Sequence, residues 1–396
     1  MNALTLPSFV SYFITNTLSL LGTWVQKVGL GWLAWQITES TFWTSLVSLI
    51  LMAPVGFLGP FIAVFAESWD SRRAMLITKI LMAFISALIF LVQLLELHSL
   101  YSLLASSIAL GLLSAFHHPV RLVFISLVVP RAYLASAVGM NSVSWNVSRI
   151  IGPGIAGMTI YLLGPSETFG IATALYLPLI VCLWFMALQP RKSNTTSADS
   201  FLSKIIDGGG VVVGNKLIFS TLCLVFLNSF FVRGVLEIQP AIVGQILGGE
   251  SASLAIVTAA AGFGSLIASG WIGLGYLNKS QTQDLLWPMV IAGIIITAAL
   301  HFFADIVPIS LIFILTGFTA TLVGIGAQTL IQLEVDENYR ARVMTWWSTI
   351  SFGSLVFGGI IIGFLGDIIG IDNAVIIMML SGSVAAISLL IWRRRA

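Results

Sequence analysis

Runs of about twenty apolar residues, separated by short polar breaks, recur along the whole chain. A helix crossing a hydrocarbon layer of about 30 Å needs roughly 20 such residues. The period-two alternation of barrel strands is absent, so the pattern predicts helices throughout. Twelve spans are expected, at 8–36, 42–66, 73–96, 99–128, 133–163, 167–189, 215–246, 250–277, 284–303, 307–333, 339–367 and 371–392. They leave no span over for a soluble domain. The opening MNALTLPSFVSYF carries neither a basic n-region nor a small-residue cleavage site, so the first run is expected to be a span rather than a removed signal.

Composition agrees. Of 396 residues 58% are hydrophobic and only 9% charged, with a mean hydropathy of +1.02, which places the chain among polytopic membrane proteins. A nucleic-acid partner is not indicated. Only Cys182 and Cys223 are present, both inside spans, so neither a disulfide framework nor a metal site is suggested, and no cofactor is called for.

Where the charges fall matters more than their sum of +2. Of 18 Lys and Arg, 14 lie on one side: Arg72, Arg73, Lys79, Arg131, Arg191, Lys192, Lys204, Lys216, Lys279, Arg340, Arg342 and Arg393 to Arg395. The other side carries Glu39, Glu96, Glu167, Glu250, Asp305, Asp367 and Asp372 and no base. The positive-inside rule then places both termini in the cytoplasm, with the chain in the cell (inner) membrane. The remaining four cations, Lys27, Arg121, Arg149 and Arg233, lie within spans.

A shift of 206 residues superposes the second six spans on the first without a gap. Gly152, Gly157 and Gly164 fall on Gly358, Gly363 and Gly370, Tyr133 on Tyr339, and Lys27 on Arg233. The constant register points to a duplicated six-helix unit. The expected organisation is an N-terminal bundle at 1–189, a C-terminal bundle at 215–396 and a cytoplasmic linker at 190–214. In that linker Phe201, Leu202, Ile205 and Ile206 mark one side of a weakly amphipathic, lipid-surface segment.

Twelve spans as six plus six, with a basic loop after the second, resemble the major facilitator superfamily. In that loop GPFIAVFAESWDSRR is similar to the signature G-x-L-A-D-R-x-G-R-R, with Ala63 for the first Gly, Glu67 for the Asp and Ser68 for the Arg. LSLLGTWVQKVGLGWLAWQITES, AFHHPVR and RIIGPGIAG together resemble the efflux branch of enterobactin-type siderophore exporters and macrolide pumps. The exporter signature G-x8-G-x3-G-P-x2-G-G reads here as Gly139, Ser148, Gly152, Pro153, Ala156 and Gly157. Small residues at that spacing let two helices approach closely, and Pro permits bending. The surface is expected to pack against the equivalent helix of the other half, and the resemblance implies that this contact seals the outer side. Packing without a moving role is the alternative. Glu67, Asp70, Arg72 and Arg73 are read as gating contacts of the loop.

The resemblance also implies that spans 1, 2, 4, 5, 7, 8, 10 and 11 line a cavity. The intramembrane cations lie on spans 1, 4, 5 and 7, while spans 3, 6, 9 and 12 are expected to hold no deep charge. A cation near the bilayer centre costs at least about 2.5 kcal/mol, so each must face a partner or a wet cavity. Arg233 and Glu237, four apart, share a helix face and could pair. Counting the four cations against Glu237 leaves the interior at +3, which favours an anionic small-molecule substrate held by Lys27, Arg149 and Arg233. Trp24 and Trp145 could stack on it or simply pack. Arg121 is either a gating or a structural residue near the cytoplasmic end.

No G-x4-G-K-[ST] loop is present, so transport is expected to run on an ion gradient, with the proton as the coupling ion. Glu237 and the pair His117 and His118 are the candidate proton carriers. The reading is a monomeric secondary active exporter of an organic anion, most simply a siderophore, moving protons the other way. Polyspecific drug or macrolide efflux and lysophospholipid transport are the alternatives within transport. A membrane enzyme is disfavoured because no loop gathers a catalytic or metal-binding cluster.

Overall fold

The computed structural model describes residues 3–58, 61–62, 70–97, 99–130, 133–186, 208–273 and 279–395. Among these, each of the twelve expected intervals is occupied by helix, and nine helices are long and apolar enough to cross a membrane. Glu67 and the amphipathic segment of the linker lie outside the described residues, as do Arg131, Arg191, Lys192 and Lys204.

The first set of helices is α1 (Pro7–Thr38), α2 (Thr41–Ile50), α3 (Ala53–Phe57), α4 (Ser71–Leu94), α5 (Leu100–Val128), α6 (Leu134–Leu162) and α7 (Glu167–Phe185). Local chemistry sets their ends. Pro7 pre-forms the first turn of α1. Asp70 caps α4, accepting from the Arg72 and Arg73 amides at 3.1 Å each. Ser99 and Ser102 form a reciprocal capping box on α5. The second span is not one helix: α2 stops at Ile50 and Pro54 starts α3.

The second set is α8 (Lys216–Leu227), α9 (Gly234–Glu237), α10 (Gln239–Ile246), α11 (Ser251–Gly273), α12 (Lys279–Ala298), α13 (Ile306–Glu334), α14 (Glu337–Ile369) and α15 (Ile371–Arg395). One π-helical turn, Asn228–Arg233, joins α8 to α9. A break at Ile238 (φ −107°, ψ 24°) separates α9 from α10. The seventh span is therefore discontinuous where the sequence pattern predicts a single helix.

Within the first set α1 packs on α6 and α7, and α4 on α5 and α7. In the second, α11 packs on α13, α12 on α13 and α15, and α14 on α15. The 206-residue repeat is written into the packing. Gly152 lies against Trp24 and Gly358 against Phe230; Gly111 lies against Ile50 and Gly317 against Ala261. Gly56 meets Phe352 of α14, and Gly262 meets Ile150 of α6. Gly164 (φ +106°) and Gly370 (φ +86°) follow α6 and α14 in the left-handed region that glycine tolerates best.

The two sets meet along two seams, α6 on α11 and α2 with α3 on α14. Gly157 faces Ala255 and Thr258 of α11, while Gly363 faces Ser45 and Thr41 of α2. This corrects the expectation that the small-residue face of the fifth span meets its own repeat-mate. The duplicated copies cross over, so each glycine-bearing helix packs on the other set's second span.

Outward faces carry exposed apolar stripes at helical spacing, such as Ile77, Phe84, Leu88 and Leu91 on α4, and Ile377, Leu380, Val384, Ile387 and Ile391 on α15. Such a surface suits hydrocarbon rather than water. One expectation fails in this region. Lys79, read as a flanking cation, is buried within α4 with its Nζ 4.8 Å from the centroid of the Tyr176 ring. Its apolar stem and the π face of Tyr176 shelter a charge in a span expected to have none.

Candidate functional site: the cavity between the two seams

A small cavity of about 90 Å³ lies between the two sets of helices. Lys27 and Trp24 of α1, Ser48 of α2, and Arg149 and Pro153 of α6 line it from one side. Arg233, Glu237, Gln239, Thr258, Ser265 and Thr321 line it from the other.

On its wall the Lys27 ammonium is ion-paired with the Glu237 carboxylate, a contact between residues 210 apart in sequence. Lys27 also stands 5.0 Å from the Trp24 ring centroid. The expected Arg233–Glu237 pairing is thus replaced. Arg233 closes the π turn and sends Nη1 to Ser351 Oγ of α14 at 2.9 Å, and Glu237 ends the helical turn after it, facing α1. The π turn and the break at Ile238 suspend the regular spacing on which an i,i+4 pair depends. Arg149 is half-buried at the same cavity, and its Nε has no hydrogen-bond partner.

Three cations against one acid leave the cavity at +2 rather than +3, because Arg121 does not line it. Arg121 is buried among the first set of helices, its guanidinium 5.1 Å from the Trp145 ring centroid, and its Nε and Nη1 lack hydrogen-bond partners. Trp145 likewise stands behind the lining, edge-on to Trp24 at 6.0 Å and to His118 at 5.5 Å. His117 is buried beside Thr78, whose hydroxyl lies 3.1 Å from Nδ1. Neither histidine reaches the cavity lining.

The remaining gating candidates have mostly local partners. Arg72 donates to the carbonyls of Leu183 (2.7 Å) and Trp184 (2.6 Å), fastening α4 to the C-terminus of α7. Arg73 pairs with Asp70 at 3.3 Å on the exposed surface. Ser148 donates to the Thr17 carbonyl at 3.2 Å, which ties α6 to α1. A side chain at Gly139 would meet open space.

Sequence reasoning missed Ser351 and the hydroxyl wall in which Thr321 donates to Ser265 at 2.9 Å. Single hydroxyls in an apolar run carry no signal until the helices are assembled.

A family model described as transmembrane secretion effector matches residues 2–395. The chain belongs to that family. It is a membrane transporter of the major facilitator type, and its fold and relatives are those of transporters rather than enzymes. Among the relatives of this secretion-effector chain is the staphyloferrin A transporter of Staphylococcus aureus (strain NCTC 8325 / PS 47). The two are 21% identical over 384 residues, 93% of this chain and 92% of the relative. The uncharacterized MFS-type transporter YfiS of Bacillus subtilis (strain 168) is 25% identical over 371 residues, 92% of this chain and 88% of the relative. In fold the chain is similar to a bacterial homologue of the human lysosomal transporter Spinster, crystallised inward-facing and unoccupied. The TM-score is 0.69 at 13% identity, covering 98% of this chain and 94% of that one.

Proposed function

We propose that this transporter is a proton-driven exporter of a small organic anion of the siderophore class, working by alternating access of two six-helix halves, 1–189 and 215–396, joined by the linker at 190–214. The observation that carries the reading is the placement of Lys27, Arg149 and Arg233 around one acid, Glu237, in a cavity between the halves. Buried cations hold carboxylates through charge-assisted hydrogen bonds that are stronger than neutral ones. Lys27 comes from the first half and Glu237 from the second, so their pair must respond when the halves rock. A substrate carboxylate arriving at Lys27 displaces the ionised Glu237 toward Arg149 and Arg233; once the substrate has left on the far side, Glu237 takes up a proton there, carries it back as the halves rock and releases it on returning to Lys27. Trp24 supplies an apolar wall. Arg121, Trp145, His117 and His118 serve as support for the first half rather than as substrate or proton sites. The basic flanks support a cytoplasmic position for both termini, and the relative that transports staphyloferrin A supports the substrate class.

The test is uptake by inverted membrane vesicles acidified inside, with labelled staphyloferrin A, a catechol siderophore and ethidium as probes. Accumulation of a siderophore, dependent on the proton gradient and lost in Arg149→Ala, is expected. Accumulation of ethidium alone, indifferent to Arg149→Ala, would replace the anion reading with drug efflux.

A further inference from the structure

The two seams differ at the end of the bundle that carries Glu39, away from the chain termini. There Asp367, in the last turn of α14, reaches across to the first turn of α2. One carboxylate oxygen accepts from the Thr41 amide at 2.7 Å and from the Thr41 hydroxyl at 2.8 Å, and the other accepts from the Ser40 hydroxyl at 2.5 Å. The Thr41 hydroxyl also lies 2.7 Å from the Gly363 carbonyl. Gly363 and Gly366 permit this approach, since a Cβ at Gly366 would come within 2.6 Å of the Thr41 hydroxyl. An acid of one half thus serves as the helix cap of the other.

Electrostatics favours the engaged position. The first amides of α2 form the positive end of that helix, whereas Asp367 sits near the negative end of its own. Separating the halves leaves the carboxylate beside an unfavourable dipole and the Thr41 amide without its acceptor.

The second seam has no such fastening at the matching positions. The 206-residue shift places Tyr161 on Asp367, and Ile246 and Leu247 on Ser40 and Thr41. Where Gly157 meets α11, the Thr258 hydroxyl bonds to carbonyls of its own helix, Leu254 at 2.7 Å and Ala255 at 3.1 Å.

We propose that Asp367 is a clasp that holds the Glu39 end shut by fastening α14 to α2, a fastening that the α6–α11 seam lacks at the matching positions. The proposal rests on the alternating-access reading.

It is tested in a background with Cys182→Ser and Cys223→Ser, carrying Leu236→Cys as a reporter on the cavity wall. A membrane-impermeant maleimide is added to whole cells and the labelling rate of the reporter is read. Asp367→Ala is expected to raise the rate at least three-fold, and so is Ser40→Ala with Thr41→Val, which removes two side-chain donors and spares the carboxylate. Tyr161→Ala, at the matching position of the other seam, should leave the rate unchanged. An unchanged rate in both clasp variants, or an equal rise in Tyr161→Ala, would overturn the clasp. Failure of the orientation reading shows separately: a Glu39→Cys control unreactive from outside the cell would mean that the Glu39 end faces the cytoplasm. The same comparison is then read on inverted vesicles.

Discussion

The first and seventh spans are repeat-mates, and they are built differently. α1 runs unbroken for 32 residues, whereas its mate passes from α-helix through a π turn into a four-residue helix and then a break at Ile238. Both pack on a glycine at matching positions, Trp24 with its side chain on Gly152 and Phe230 with its backbone on Gly358, and both present a cation to the cavity, Lys27 and Arg233. Only the broken helix carries an acid. The position of Glu237 corresponds to Gly31, which packs against Ser48 and Pro240. Duplication thus supplied a scaffold with like cations, and the departure from symmetry supplied a charge that can change partners. A helix already interrupted beside that acid has few backbone bonds to break when it moves.

The comparison is broken most severely at Lys27. Lys27→Met leaves the half-buried Glu237 without its ion-pair partner, and the expected loss is about 3 kcal/mol of stability, the low end for a buried pair because Arg149 and Arg233 remain nearby. Most of it should return in Lys27→Met combined with Glu237→Gln, as read by thermal unfolding in detergent. Next come the repeat-mate glycines. Gly152→Val and Gly358→Val each overpack a helix crossing and should cost about 1–3 kcal/mol. Gly358 is expected to be the more sensitive, because its neighbour is the backbone of Phe230 rather than a side chain. Ser351→Ala removes the acceptor of Arg233 and should cost about 1 kcal/mol; a change in substrate affinity without a change in proton dependence would show Ser351 positioning Arg233. Smallest is Arg73→Ala on the exposed Asp70 pair, expected to shift stability by less than about 1 kcal/mol.

Much of this was legible in the sequence. Hydropathy located the helices, and the 206-residue register anticipated Gly152 with Gly358 and Gly164 with Gly370. It anticipated the cavity cations less well. Lys27 and Glu237 stand 210 residues apart, and no local spacing links them, so the sequence points instead to the arginine one turn away. Lys79 follows Arg72 and Arg73 closely in the chain, and hydropathy sees such neighbours and not Tyr176, which shelters it from another helix. The partner of the small-residue face was misassigned for a related reason: a repeat shows which helices are alike, not which ones touch. The breaks in the second and seventh spans fall at Pro54 and Pro240, a weak signal, since proline is tolerated inside membrane helices elsewhere in this chain, at Pro119 and Pro153.

The central claim is that Glu237 carries the proton that returns in exchange for exported substrate. Proteoliposomes containing Glu237→Gln, assayed with the siderophore that wild-type vesicles accumulate, test it most directly. The account predicts that the variant still exchanges labelled for unlabelled substrate across the membrane and loses uphill accumulation driven by a proton gradient by at least ten-fold. Uphill accumulation equal to that of the wild type would contradict it.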